Sequence, residues 1–190
     1  MATDKLKEYK RKRDFNQTNE PAEGGRGGKR PKFVIQQHDA RAMHYDFRLE
    51  VDGVLKSWAV PKGPSMDPKD KRLAVETEDH PMSYADFEGV IPEGNYGAGN
   101  VIVWDMGYYV NIKSIDGEPV SMEESYNMGT IEIWLEGKKL QGGFALIRMK
   151  DKKSWLLIKM RDAKADARRN PVSTQPESVI SGKKVTEIKR

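Results

Sequence analysis

Between Phe33 and Met160 apolar and polar residues alternate in short runs instead of recurring at helical spacing. Met43–Val51 alternates strictly, Val54–Val60 follows after Asp52-Gly53, and Lys71–Glu78 alternates again. Phe33–Gln37 is a short run rich in β-formers, and Val101–Asp105, Thr130–Glu136, Phe144–Lys150 and Trp155–Met160 complete a set of eight candidate strands. A strand repeats its side-chain direction every two residues, and Asp-Gly between two such runs signals a hairpin. No long helical pattern recurs between the runs, which argues against a parallel α/β sheet. The expected fold class is mainly β: a small antiparallel β-barrel of about eight strands with short peripheral helices and mobile basic termini. A short basic helix is expected at Asp4–Arg13 and a helical turn around Met82–Phe87. Glu20–Lys32, rich in Gly and Pro, reads as a linker.

Composition narrows the picture. The 190 residues are near the size of one domain, and 37% are hydrophobic, which argues against full disorder. No stretch approaches the ~18–20 apolar residues of a membrane helix, and the charged start lacks the apolar run of a secretory signal. With no cysteine there is no disulfide scaffold, thiolate metal site or Cys nucleophile. The net charge of +4 is unevenly spread. Residues 1–32 form a basic arm of net +5, residues 33–160 a barrel segment of net −5, and residues 161–190 a polar basic tail of net +4. Basic arms add phosphate contacts, whereas an acidic centre argues against one broad duplex-binding face. It suits a local anion pocket or a metal held by carboxylates.

The only histidines are His38, His44 and His80, each beside an acid. In Met43–Glu50, strand parity sends Met43, Tyr45, Phe47 and Leu49 to one face and His44, Asp46, Arg48 and Glu50 to the other. His44 and Asp46 then lie about 6.6 Å apart at Cα, close enough to reach one metal. Gln36 shares parity with His38, and Arg72, Glu76 and Glu78 share parity with His80, with Leu73 and Val75 expected on the opposite face. If these strands are neighbours, their polar faces converge on one pocket. Two imidazoles and a carboxylate suit Mn²⁺, Fe²⁺ or Zn²⁺, and His80, Arg48, Arg72 and Lys62 would attract an anion beside it.

Four long motifs now carry a resemblance. Phe33–Ala40, Met43–Glu50, Leu55–Pro64 with Asp79-His80-Pro81, and Phe87–Gly99 resemble the 3′-phosphoesterase domain of bacterial DNA ligase D, with the match running from about Tyr9 to Lys159. The resemblance implies a small β-barrel hydrolase that trims DNA 3′ ends in non-homologous end joining; with no room for ligase or polymerase modules, the chain reads as a free-standing form of that domain or an excised one. It implies a divalent metal, most usually Mn²⁺ with Zn²⁺, Co²⁺ or Fe²⁺ as alternatives, and removal of a 3′-terminal ribonucleoside and then of the 3′-phosphate. By motif match His38, His44 and Asp46 would be metal ligands. His80, Arg48 and Tyr84 would act on the phosphate, and Gln36, Lys62, Arg72 and Glu78 fall on family site positions. Tyr9–Phe15 and Glu20-Pro21 resemble the family's N-terminal arm, which makes Arg13, Asp14 and Glu20 candidates for engaging the terminal nucleotide. Asp14 and Glu20 are the candidates for the ribose 2′-OH. The implied partners are a DNA 3′ end or primer-template, a separate ligase and an end-binding repair protein. The implied place is the prokaryotic cytoplasm, at the nucleoid.

Two rival functions share these residues. His44-Tyr45-Asp46 with a distal His is also the facial triad of non-haem Fe(II) oxygenases. A nucleic-acid-end binding module without catalysis would keep the same surface. Gly94, Gly97 and Gly99 lack the Gly-Lys-Ser/Thr of a P-loop and read as tight turns. Lys113–Gly117 has one residue too many for a ligase nucleotidyl-lysine motif and also reads as a turn. Trp58, Trp104, Trp134 and Trp155 fall in strand-like runs and are expected in the core.

Overall fold

The computed structural model describes residues 4–25, 27 and 29–188. In chain order its elements are α1 (Lys7–Arg11), β1 (Lys32–Asp39), β2 (Met43–Val51), β3 (Val54–Val60), β4 (Lys71–Pro81), a 3₁₀ turn (Met82–Asp86), β5 (Gly89–Ile91) and β6 (Gly99–Asn111). Then come β7 (Ser114–Ile115), β8 (Glu118–Pro119), α2 (Met122–Met128), β9 (Thr130–Gly137), β10 (Gln141–Arg148), β11 (Ser154–Lys159), α3 (Pro171–Thr174) and a second 3₁₀ turn (Val185–Glu187).

Hydrogen bonding runs β1-β2-β3-β4-β11-β10-β9-β6 and returns to β1, so eight antiparallel strands close a barrel. These are the eight runs expected from alternation. Closure leaves no open edge among them, which a flat sheet would have to protect. Asp52 and Gly53 both adopt positive φ (50° and 82°), the backbone that a two-residue β2–β3 hairpin demands. Asp116-Gly117 does the same between β7 and β8, so the Lys113–Gly117 segment is a hairpin turn.

Alternation also decides the core. Phe33, Ile35, Tyr45, Phe47 and Leu49 point inward and pack with Trp58, Trp104, Phe144 and Trp155. Burying each such side chain stabilises the fold by roughly 1.5–3 kcal/mol. Trp134 departs from expectation: it is only partly buried, because its neighbours Ile133 and Leu135 take the inward positions. A second apolar cluster lies outside the barrel wall, where Val34, Leu55 and Val103 meet Tyr9, Met82, Tyr84 and Ala85.

That outer cluster corrects the picture of the termini. The described part of the arm is docked: Tyr9 of α1 is fully buried, and its hydroxyl donates to the Pro21 carbonyl. The Gly/Pro-rich stretch is mostly exposed but touches the 3₁₀ turn, where Ser83 N–H donates to the Gly24 carbonyl at 2.9 Å. The tail straps the barrel through its backbone. Trp104 Nε1 donates to the Gln175 carbonyl (2.9 Å), Asn100 Nδ2 donates to the Val185 carbonyl (3.0 Å), and Val185 is buried. Docking by backbone carbonyls imposes no side-chain period, so nothing in the tail's pattern announces it.

A bulge re-aims β4. Leu55 pairs with His80 but Ser57 pairs with Thr77, so β4 carries one extra residue there. Before the bulge, Ala74 faces the core beside Trp155 and Leu73 is exposed. Glu76 accepts hydrogen bonds from Tyr126 Oη (2.5 Å) and Trp155 Nε1 (3.1 Å) inside. The extra residue flips parity, and His80 emerges on the outer face.

Candidate metal and phosphate site

The outer faces of β1, β2 and β4 build one pocket. Continuous alternation carries His38 from β1 and His44, Asp46 and Arg48 from β2 into it, and the bulge adds Thr77, Glu78 and His80 from β4. Tyr84 from the 3₁₀ turn, Arg13 from the arm, and Tyr96 and Gly97 from the loop before β6 complete its walls. Its volume is about 190 Å³.

One ligand atom each from His38, His44 and Asp46 lie within 4.8 Å of one another. His38 Nδ1 is 3.6 Å from Asp46 Oδ2, and His44 Nε2 is 3.3 Å from Asp46 Oδ1. The far nitrogen of each ring is fixed by a carbonyl: His38 Nε2 donates to Gly97 O (2.6 Å) and His44 Nδ1 donates to Ala42 O (3.0 Å). A carbonyl only accepts, so each ring turns its other nitrogen toward the shared carboxylate. That is the outer support metal-binding histidines require, and the donor set fits one divalent cation. Burial opposes ionisation of Asp46, but the Arg48 guanidinium and the two imidazoles outweigh it and hold its pKa well below the usual range. Burial lowers the proton affinity of His44, while the Asp46 hydrogen bond more than restores it and raises the pKa.

An anion seat adjoins these groups. Arg48 Nε donates to Gln36 Oε1 at 2.7 Å, and Gln36 Nε2 donates to the carbonyls of Tyr84 (2.9 Å) and Phe87 (3.1 Å). The guanidinium also lies over the Tyr84 ring, 4.9 Å from its centre. Held this way, Arg48 keeps Nη1 buried without a hydrogen-bond partner. A buried unpaired cationic donor is costly until an anion reaches it. His80 is buried, and that burial, with Arg48 and Arg13 nearby, holds its pKa well below the ordinary histidine value. Its Nδ1 donates to the Glu78 carbonyl (2.9 Å), leaving Nε2 as an acceptor 3.4 Å from Arg13 Nη2.

The arm locks onto the same wall. Arg13 donates to Glu20 Oε2 (3.0 Å) and Glu78 Oε1 (3.1 Å), Lys12 donates to Glu78 Oε2 (2.9 Å), and Tyr84 Oη donates to Glu20 Oε2 (2.7 Å).

Of the expected site residues, His38, His44, Asp46, Arg48, His80, Tyr84, Arg13 and Glu78 line the pocket. Gln36 and Glu20 stand behind it as positioning residues. The structure does not bring the other three to it. Asp14 is exposed and caps its own turn, accepting from Asn16 N–H at 3.0 Å. Lys62 is exposed in the turn after β3. Arg72 lies before the bulge, opposite Leu157 on the inward parity, with Asp70 3.6 Å away. Thr77, Gly97 and Tyr96 were not expected. Thr77 enters through the bulge and Gly97 acts through its carbonyl, neither of which a side-chain pattern reports.

The profile of the DNA ligase D 3′-phosphoesterase domain matches residues 36–148, more than half of the chain. The chain belongs to this family. It is 48% identical over 189 residues to the multifunctional non-homologous end joining protein LigD of Pseudomonas aeruginosa, covering 93% of this chain and 21% of that relative. It is 46% identical to the LigD protein of Mycolicibacterium smegmatis and 45% identical to that of Mycobacterium tuberculosis, covering 85% of this chain in each case. The chain thus spans about a fifth of the length of these relatives. Among the described residues no helix is long and apolar enough to cross a membrane.

Proposed function

We propose that this LigD-family phosphoesterase is a metal-dependent hydrolase that heals DNA 3′ ends. It removes a 3′-terminal ribonucleoside to leave a 3′-phosphate, then removes that phosphate to leave a 3′-OH. The observation that carries the reading is that Arg48 lines one pocket with the three cation-binding groups, its Nη2 3.5 Å from Asp46 Oδ2 while Nη1 has no hydrogen-bond partner. Family membership supports phosphoester chemistry over the Fe(II) oxygenase reading, which shares only the ligand types.

His38, His44 and Asp46 would hold the cation, Mn²⁺ by preference, which when bound withdraws charge from a phosphate oxygen. Arg48 Nη1 binds a second nonbridging oxygen, and its hydrogen bond to Gln36 fixes the direction of the fork. Neutral His80 keeps Nε2 unprotonated with Arg13 Nη2 3.4 Å away, and once Arg13 turns to the phosphate that nitrogen takes a proton from the attacking water. The water oxygen bonds to phosphorus, the bond to the leaving sugar oxygen breaks, and that oxygen receives the proton from His80. Arg13, carried in by the arm, neutralises phosphate charge beside His80. The names of the relatives support a setting in non-homologous end joining.

The test is a primer-template bearing one 3′-terminal ribonucleotide, incubated with Mn²⁺ and resolved by size and end group. The reading expects a shortened 3′-phosphate product followed by a 3′-OH product. Tight end binding without turnover would favour the non-catalytic module instead.

A further inference from the structure

The pocket that holds the reacting groups, at about 190 Å³, falls short of the ~300–1,000 Å³ of sites that enclose a whole ligand. It has room for a phosphate and a cation, not for a nucleoside. Beside it lies a larger groove of about 970 Å³, and the two share Ala40 and Ile91 as common wall. Val90, Ile91 and Pro92 of β5 and its end form an apolar floor, and Asp39, Arg41 and Glu93 stand on the rim. Close approach of β6 makes the groove: a Cβ on Gly99 would sit 2.0 Å from the Asp39 carbonyl oxygen, so only glycine lets β6 run against the end of β1.

The two sides of the reacting centre differ in charge. On the pocket side Arg13, Arg48 and Lys12 are balanced by Asp46, Glu78 and Glu20 before any cation is bound. On the groove side two carboxylates outnumber one guanidinium. A strand approaching its own 3′ end has phosphates on one side of the scissile phosphate. On the other side it has only the terminal nucleoside, which is neutral and carries hydroxyl donors.

We infer that the Asp39–Glu93 groove is the subsite for the terminal nucleoside, its apolar floor against the base and its rim carboxylates accepting hydrogen bonds from the ribose hydroxyls. The inference rests on the proposed end-healing reaction and orients the substrate within it. It also moves ribose recognition away from Asp14 and Glu20, since Asp14 caps its own turn and Glu20 is held by Arg13, Thr18 and Tyr84.

Two measurements test it. A primer-template ending in 4-thiouridine is irradiated with the wild-type protein in chelator, so that no turnover occurs, and the cross-linked residue is located by mass spectrometry. The expected cross-links fall within residues 89–93 or 39–41; cross-links confined to the arm or Tyr96, or none at all, overturn the subsite. In the second, Asp39→Ala is compared with wild type on a 3′-ribonucleotide end and on a 3′-phosphate end. The ratio of nucleoside removal to phosphate removal should fall about tenfold, the worth of a hydrogen bond to a charged acceptor. An unchanged ratio overturns it. Groove cross-links from a wild-type protein that hydrolyses neither end would keep the subsite and sink the reaction.

Discussion

Arg13 and Glu78 meet across 65 residues of chain, Nη1 to Oε1 at 3.1 Å, with both side chains at most 5% exposed. This pair fastens the arm to the strand that carries His80. Glu78→Ala should therefore destabilise the protein by about 1–3 kcal/mol, because it leaves buried donors of Arg13 and Lys12 short of an acceptor. Urea unfolding checks the cost, and hydrogen exchange should show lost protection in Lys7–Arg11. Unchanged protection there would contradict the fastening.

The same carboxylate sets a pH dependence. Burial opposes its charge, but the hydrogen bonds from Lys12 and Arg13 prevail and hold its pKa below the ordinary value. A group whose folded pKa is depressed contributes stability above its unfolded pKa, ~4.3 for Glu, and loses it as pH falls through the folded value. The stability gap between wild type and Glu78→Gln should be full at pH 6 and shrink as pH drops toward 3. A gap that widens on acidification would reverse the assignment.

Much of this was legible in the sequence. Strict alternation placed His44, Asp46 and Arg48 on one outer face because β2 is unbroken and half its residues must enter the core. The same logic misplaced Arg72 and Glu76, because one extra residue near Glu78 inverts parity and no side-chain pattern marks it. The docked arm and strap were illegible for another reason. They bind through single anchors such as Tyr9 and through carbonyls such as that of Gln175, neither of which repeats.

Gly97 has φ of +73°, and a Cβ there would stand 3.3 Å from His38 Cε1. Its carbonyl also orients that ring. Gly97→Ala should weaken Mn²⁺ affinity roughly tenfold or more, as loss of an outer-sphere partner does. Calorimetric titration reads this directly, and an unaltered affinity would show that the added Cβ is accommodated without moving the carbonyl off the ring.

Arg48→Lys keeps the charge but cannot hold Gln36 through Nε while presenting Nη1 to a phosphate. Its kcat/KM for 3′-phosphate removal should drop about 10- to 100-fold. Wild-type rates in this variant would mean that charge alone suffices.

Asp105, fully buried, accepts the N–H groups of Lys138 (2.9 Å), Lys139 (3.1 Å) and Leu140 (2.8 Å) in the β9–β10 turn. Asp105→Ala strands these three donors and the N–H of Met106, and should lower unfolding stability by about 3 kcal/mol or more. A loss below about 1 kcal/mol would show that the turn closes without it.

Binding of Mn²⁺ to chelator-stripped protein, followed by the paramagnetic resonance signal of free ion, probes the site itself. Wild type should take up one ion per chain at micromolar protein, whereas folded His38→Ala and Asp46→Ala should leave the ion free. Equal uptake by all three proteins, or none by wild type, would contradict a cation held by His38, His44 and Asp46.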